Sequence, residues 1–300
     1  MTQKILIIVG PTASGKSSLA VELAHMFDGE IISADSRQVY KGLNIGTGKV
    51  TKKEMAGIPH YLLDVCSPKK AFSAGEYVSL GRKAILDVAS RGKLPIIVGG
   101  TGFYIDALTG RIPLPDVQPN AKLRKALSKK SAAQLFALLK KKDAARATSM
   151  DTPSERNNKA RLVRALEIAG SIGKVPNIRD HSLYDALWIG IAPSDKTLRE
   201  NINIRLTERI NSGMIREAQK LHTAGLSYKR MEELGLEYRS LARLLKKQVT
   251  KAELETELQS DIWRYARKQI GYWKRNREIT WFDPKQRMGI EKAVARWSKR

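Results

Sequence analysis

The chain has 300 residues, with 54 lysines and arginines against 30 aspartates and glutamates, for a formal net charge of +24. That length can bury a substantial core, as one large domain or a main domain with an insertion, and the field favours a polyanionic partner, nucleic acid ahead of an anionic membrane surface. No apolar run nears the ~20 residues that cross a bilayer, and the single cysteine, Cys66, leaves no internal disulfide and no CxxC pair for zinc.

Residues 4–10 form a short apolar run ending in glycine, followed by a helical pattern over 16–27. The opening residues Met1 to Lys4 run straight into this strand without a secretory pattern, and a reducing cytoplasm is the expected compartment. Strands are predicted at 30–35, 58–65 and 95–100, with a helix over 75–90. Continuous β-branched runs alternating with amphipathic helices predict an α/β fold, a P-loop core whose parallel sheet is flanked by helices. Residues 111–119 are proline-rich and read as a linker. Helical stretches at 121–147 and 154–169, both rich in lysine and arginine, predict a mostly helical insertion domain over 111–185. The core then resumes over 186–300, with a strand at 186–192 and helices at 196–224, 231–246 and 251–274; Gly213 is a candidate break in the first.

Gly10, Pro11, Thr12, Ala13, Ser14, Gly15, Lys16 and Ser17 fit G-x-x-x-x-G-K-[ST] between a predicted strand and a predicted helix. The glycines permit a tight loop with inward N–H groups, the helix N-terminus adds partial positive charge, and Lys16 can reach phosphate oxygens. Ser17 is the candidate Mg²⁺ ligand. Most such loops bind ATP or GTP, which points to a kinase or NTPase; the loop chemistry alone accommodates any di- or triphosphate.

The segments that follow the loop are more specific. Residues 33–40 read SADSRQVY, 44–49 NIGTGK, 57–64 GIPHYLLD and 98–104 VGGTGFY. Together with the loop, with 161–167, Arg205, 267–270 and 279–283, this ordered series closely resembles the tRNA dimethylallyltransferases (tRNA isopentenyltransferases), across nearly the whole chain. A C-terminal Cys/His zinc module, found in some eukaryotic members, is not among the segments matched, so the bacterial type is the expected one. The resemblance implies transfer of a dimethylallyl group from dimethylallyl diphosphate to N6 of an adenosine beside the anticodon of tRNA, with Mg²⁺. It makes Asp35 the general base for the amine, against the alternative of an aspartate that only orders Mg²⁺ and water. It sets Arg205 on the diphosphate and Thr101 near the transferred group. It also implies tRNA contacts at Asp35, Ser36, Arg37, Gln38, Thr101, Arg124, Ala160, Arg161, Leu162, Val163, Arg164, Leu234, Gly235, Leu236, Glu237, Tyr238 and Arg239. The series closes with Arg267, Lys268, Gln269, Ile270, Gly271, Tyr272, Trp273 and Lys274. A monomer satisfies all of these roles.

The residues add their own support for RNA. Arg264, Arg267, Lys268, Lys274, Arg275 and Arg277 occur among Trp263, Tyr265, Tyr272 and Trp273, the mixture a single-stranded loop calls for. A helix with a core face and a solvated face explains the same pattern. Several departures from the family pattern bear on the site, among them Val50 for a proline and the 234–239 segment for a more usual Gly-Tyr-Lys/Arg one. Asn44 replaces a carboxylate, Gly48 an alanine, and Asn201 a second arginine. Glu237 adds a negative charge near the expected RNA path. Two other functions remain as alternatives, a basic RNA-binding protein without catalysis and prenylation of free AMP or ATP.

Overall fold

The computed structural model describes residues 2–176 and 182–300. In chain order the elements are β1 (Lys4–Val9), α1 (Lys16–Met26), β2 (Gly29–Ser33), α2 (Lys52–Met55), β3 (His60–Tyr61), α3 (Ala74–Ser90), β4 (Leu94–Gly99) and α4 (Gly102–Leu108). Five helices follow, α5 (Ala121–Ser128), α6 (Ala132–Lys142), α7 (Ala144–Ser149), α8 (Pro153–Arg156) and α9 (Lys159–Ile172). The chain continues through β5 (Asp185–Ile191), α10 (Asp195–Asn211), α11 (Met214–Thr223), α12 (Tyr228–Leu234), α13 (Leu236–Leu245), α14 (Lys251–Trp273), β6 (Thr280–Phe282) and α15 (Arg287–Ser298). It divides into two compact units, Met1–Thr109 with Ser182–Arg300, and Gly110–His181.

The first unit is built on a six-stranded sheet in the order β3-β2-β4-β1-β5-β6, with every pairing parallel. Central β1 is apolar from Ile5 to Val9 because both of its faces are covered. Ile5, Ile7 and Val9 point to one side, where α3 and α4 supply Tyr77, Ile85, Tyr104 and Leu108. Leu6 and Ile8 point to the other, against Leu19, Ala20 and Leu23 of α1 and Ile290 and Val294 of α15. A third core joins helices α10 to α14 with Val39, Tyr40 and Leu43 from the segment after β2. That core anchors the segment carrying Asp35 to the C-terminal helices.

Several expected boundaries shift for local reasons. The strand expected over 58–65 pairs only through His60 and Tyr61, because Leu62 and Asp64 take φ of 64° and 55° and turn out of the extended path. The helix expected over 121–147 is three helices. Asn120 caps α5, Ser131 forms a capping box with Gln134 at α6, and Asp143 caps α7. Gly213 (φ 99°) separates α10 from α11 and Gly235 (φ 74°) separates α12 from α13, as left-handed positions within otherwise helical sequence. β6 and α15 extend the core beyond the helices expected there.

Glu30 lies almost wholly buried at the start of β2, where the Arg91 guanidinium forks onto both carboxylate oxygens at 2.6 Å and the Tyr61 hydroxyl donates at 2.7 Å. These donors outweigh its desolvation and lower its pKa to about 2. A depressed carboxylate stabilises the fold at pH above its unfolded value near 4.5, and that contribution is lost as pH falls toward about 2. Glu30→Gln is therefore expected to cost about 2–4 kcal/mol at neutral pH. In urea titrations its deficit against the wild type should shrink between pH 4.5 and 2; a deficit constant with pH would contradict the assignment.

Candidate active site

The site is assembled at the carboxyl ends of the parallel strands, where open α/β sheets bind ligands. β1 delivers the glycine-rich loop. Gly10 cannot carry a side chain there, since a Cβ would lie 2.5 Å from the Ile191 carbonyl oxygen. Ala13 and Gly15 both take left-handed φ, 62° and 84°, which curls the loop over the start of α1. Two side chains, Gln269 and Asn201, brace it, and Gln269 is itself tied to the residue after β4. The Thr12 amide donates to Gln269 Oε1 at 2.8 Å, Gln269 Nε2 donates to the Gly100 carbonyl at 3.0 Å, and Asn201 Nδ2 donates to the Ala13 carbonyl at 3.2 Å. Inside the loop the Ser14 hydroxyl is 2 % exposed and has no hydrogen-bond partner among the described residues.

Lys16 donates to the Pro11 carbonyl at 3.2 Å. Burial and the nearby Arg205 push its pKa down to about 8, against the opposing pull of Asp35. Lys16 thus feels both Arg205 of α10 and Asp35, which lies just past the end of β2. An excess of positive charge there, with an unpartnered buried hydroxyl beside it, is the electrostatic signature of an anion site.

β2 and β4 hold the aspartate. The Ala34 amide donates to the Val98 carbonyl at 2.8 Å, the Thr101 amide to the Ala34 carbonyl at 3.1 Å, and the Ser36 amide to Thr101 Oγ1 at 3.0 Å. Asp35 Oδ1 accepts the amides of Arg37 (2.8 Å) and Gln38 (3.3 Å). One carboxylate oxygen thus fixes the side chain on its own turn. Thr101 is half-buried and braces the same turn, and Tyr265 of α14 lies close to both Thr101 and Asp35.

The IPP transferase family profile matches residues 38–276. The chain is 40 % identical over 270 residues to the tRNA dimethylallyltransferase of Leuconostoc citreum, covering 90 % of each sequence. The chain belongs to the IPP transferase family. It is 35 % identical to the tRNA dimethylallyltransferase of Bacillus subtilis, over 94 % of this chain and 91 % of that one. The crystal structure of the full-length tRNA isopentenylpyrophosphate transferase from Bacillus halodurans superposes with a TM-score of 0.74 at 33 % identity, covering 98 % of this chain and 96 % of the other.

Within this IPP transferase the expected site residues fall into distinct settings. Asp35, Ser36, Arg37 and Gln38 are half-buried around the strand end, and the exposed Arg205 lies over Gly48, where a Cβ would be 3.0 Å from its Nη2. Ser17 is exposed at the first turn of α1. Leu234, Tyr238, Gln269 and Trp273 are buried, so Leu234 and Tyr238 pack in the helical core, Gln269 braces the loop, and Trp273 packs near Trp188. Gly235 forms the turn between α12 and α13, Leu236 and Ile270 are half-buried, and Arg239, Lys268, Gly271 and Lys274 are exposed. Tyr272 covers Gly102 and donates to Asp106 Oδ2 at 2.5 Å.

The charges sort in the same way. Glu237 pairs with Arg209 at 3.0 Å, which offsets its negative charge. Arg267 pairs with Asp195 at 2.7 Å and, with Arg199, lies against the Trp263 ring. Asn44 accepts from Lys49 Nζ at 3.0 Å, a structural contact where the family has a carboxylate.

The second unit has its own core of Leu127, Leu135, Leu139, Leu162 and Leu166. Arg124, Ala160 and Val163 line a hollow with Ser128 and Lys159, and the exposed Arg161 pairs with Glu155. Buried Glu167 receives a two-pronged contact from Arg124 at 2.7 Å and a third from Arg164 at 3.0 Å. Two cations facing one buried carboxylate are ordered by it and keep a net positive charge. Sequence reasoning named Tyr265 only within the basic-aromatic mixture and Glu167 only as the end of a matched segment, and it did not reach the loop-bracing role of Gln269. The signal for Glu167 was a lone acid at i+3 from an arginine on a helix otherwise rich in cations.

Proposed function

We propose that this chain transfers the dimethylallyl group of dimethylallyl diphosphate to N6 of the adenosine 3′-adjacent to the anticodon of tRNA, giving N6-dimethylallyladenosine and diphosphate. The observation that carries this is the meeting of a cationic phosphate loop and a turn-fixed carboxylate at one end of the sheet. The C1–O bond of the allylic diphosphate breaks as the N6–C1 bond forms, and the proton lost from N6 passes to Asp35. Delocalisation makes adenine N6 a poor nucleophile, so a carboxylate able to take that proton lowers the barrier. Loop amides, Lys16 and Arg205 meet the negative charge that builds on the leaving diphosphate, and the orphaned Ser14 hydroxyl gains a phosphate oxygen. Thr101 holds the strand-end turn beside the transferred group.

Mg²⁺ fits the donor set through Ser17. Among the described residues there is no cluster of three or more acidic, histidine or cysteine side chains that could hold a metal. A small hard cation bound by one hydroxyl, diphosphate oxygens and water suits that scarcity. Held by Ser17, such a cation would neutralise part of the diphosphate charge.

The target base must leave its stack to reach the carboxylate. Arg37, Gln38, Arg239, Lys268 and Lys274 serve the extruded base and its neighbours, and Arg124, Lys159 and Arg164 of the inserted unit take backbone phosphates. The roles assigned here call for one chain only, in keeping with a monomer, and a tRNA acceptor is the reason to expect it in the cytoplasm. Mapping the modified nucleotide in unmodified tRNA incubated with protein, dimethylallyl diphosphate and Mg²⁺ tests the reading. Modification 3′ of the anticodon is expected; modification elsewhere, or none, overturns it.

The Lys16 pKa of about 8 in the free protein gives a sign to pH dependence. The ammonium form binds diphosphate, and it is lost as pH rises through that value. Affinity for dimethylallyl diphosphate should fall from pH 7.5 to 9.5, and the fall should vanish in Lys16→Arg, whose guanidinium stays charged. An equal fall in both proteins would contradict Lys16 as the titrating group.

A further inference from the structure

Residues 44–48 form a turn that is gripped from two sides. Glu217 of α11 accepts all three successive amides on one side, Asn44 (3.0 Å) and Ile45 (2.8 Å) at Oε2 and Gly46 (2.8 Å) at Oε1. Arg209 of α10 donates to the carbonyls on the other, to Ile45 at 2.7 Å and to Gly46. Both gripping side chains are held in turn. Tyr238, buried in the helical core, donates its hydroxyl to Glu217 Oε1 at 2.7 Å, and Glu237 pairs with Arg209 at 3.0 Å. Gly46 has no room for a side chain, since a Cβ would meet the Tyr238 hydroxyl at 2.5 Å. Three inward amides in a row form an anion-binding concavity, and here the protein fills it with its own carboxylate.

The far end of this turn is what the site uses. The Gly48 carbonyl accepts from Gln38 Nε2 at 3.3 Å, and Gly48, at φ 59°, leaves the space in which Arg205 Nη2 rests. One turn therefore touches a residue of the Asp35 strand end and the arginine beside Lys16.

We propose that Glu217 is a positioning residue that fixes the 44–48 turn so that Arg205 is pre-set against the leaving diphosphate. This rests on the reading of the loop and Arg205 as the diphosphate site. The effect is indirect: Glu217 lies on a different helix from Arg205 and acts on it through the turn's backbone. Held arginine loses less freedom on binding than a mobile one, so the contribution appears in diphosphate affinity and in KM.

The test is calorimetric binding of inorganic pyrophosphate with Mg²⁺ to the full chain, together with KM and kcat for dimethylallyl transfer. Glu217→Gln keeps the size but turns an amide N–H₂ toward the backbone donors. It is expected to weaken pyrophosphate binding 5–20-fold and to raise KM for dimethylallyl diphosphate by a similar factor, with a smaller change in the dissociation constant for tRNA, because the same turn also holds Gln38. Tyr238→Phe removes only the hydroxyl that holds Glu217 and should show the same change at 2–5-fold; it decides the matter if the glutamine variant does not fold. In an Arg205→Ala background Glu217→Gln should add little, because the residue it positions is gone. Wild-type affinity for pyrophosphate in either folded variant, or a full further loss in the Arg205→Ala background, overturns the proposal. Failure of the wild-type chain itself to bind pyrophosphate overturns the diphosphate reading and this inference with it, whereas wild-type binding weakened by Arg205→Ala but not by Glu217→Gln overturns the inference alone.

Discussion

Asp35→Asn is expected to lower kcat by about 10²–10⁴-fold, the range for removing a positioned general base, while leaving the dissociation constant for tRNA within about twofold. The structure selects asparagine over alanine for this test. Asp35 Oδ1 accepts the amides of Arg37 and Gln38, and an asparagine oxygen can accept both. Alanine would also release the turn that carries Arg37 and Gln38, and so mix lost chemistry with lost recognition. Asparagine cannot take the N6 proton. Single-turnover rates with saturating tRNA and dimethylallyl diphosphate give the measurement. A near-normal rate would remove Asp35 as the base.

The second large effect is on the leaving group. Lys16→Ala is expected to reduce kcat/KM for dimethylallyl diphosphate by roughly 10²–10³-fold, comparable with deletion of one fixed donor to developing negative charge. Burial already presses this ammonium toward its neutral form, and its pKa of about 8 records that cost. A desolvated cation regains favourable electrostatics only when an anion arrives, so its contribution should grow as charge accumulates on the leaving oxygen. The loss should therefore include kcat as well as KM. A rise in KM with kcat untouched would show that Lys16 binds the substrate without stabilising its departure.

Much of this was readable from local pattern. The loop sequence between a strand and a helix gave the cradle, and continuous apolar runs such as that of β1 gave a parallel sheet covered on both faces. Helix breaks were less readable, because Asn120, Ser131 and Asp143 compete as caps within one long cationic stretch. The short β3 depended on left-handed Leu62 and Asp64, and at Leu62 no residue preference announces that turn. Long-range polar contacts were out of reach. Glu217 meets residues more than 170 positions away, and Gln269 braces a loop 257 positions earlier. Neither partner leaves a periodic trace in sequence. The basic-aromatic pattern of α14 likewise held two readings, and the structure divides it: Trp273 goes to the core, while Arg267, Lys268 and Lys274 stay exposed.

The most direct test of the central claim follows the five-carbon group itself. The protein is incubated with Mg²⁺ and dimethylallyl diphosphate labelled in its carbon chain, in parallel with unmodified tRNA, AMP or ATP. The account predicts label on tRNA and diphosphate released in equal amount, with transfer to tRNA falling steeply as salt rises. Label on AMP alone, or phosphate released from ATP without any prenylated product, would contradict it.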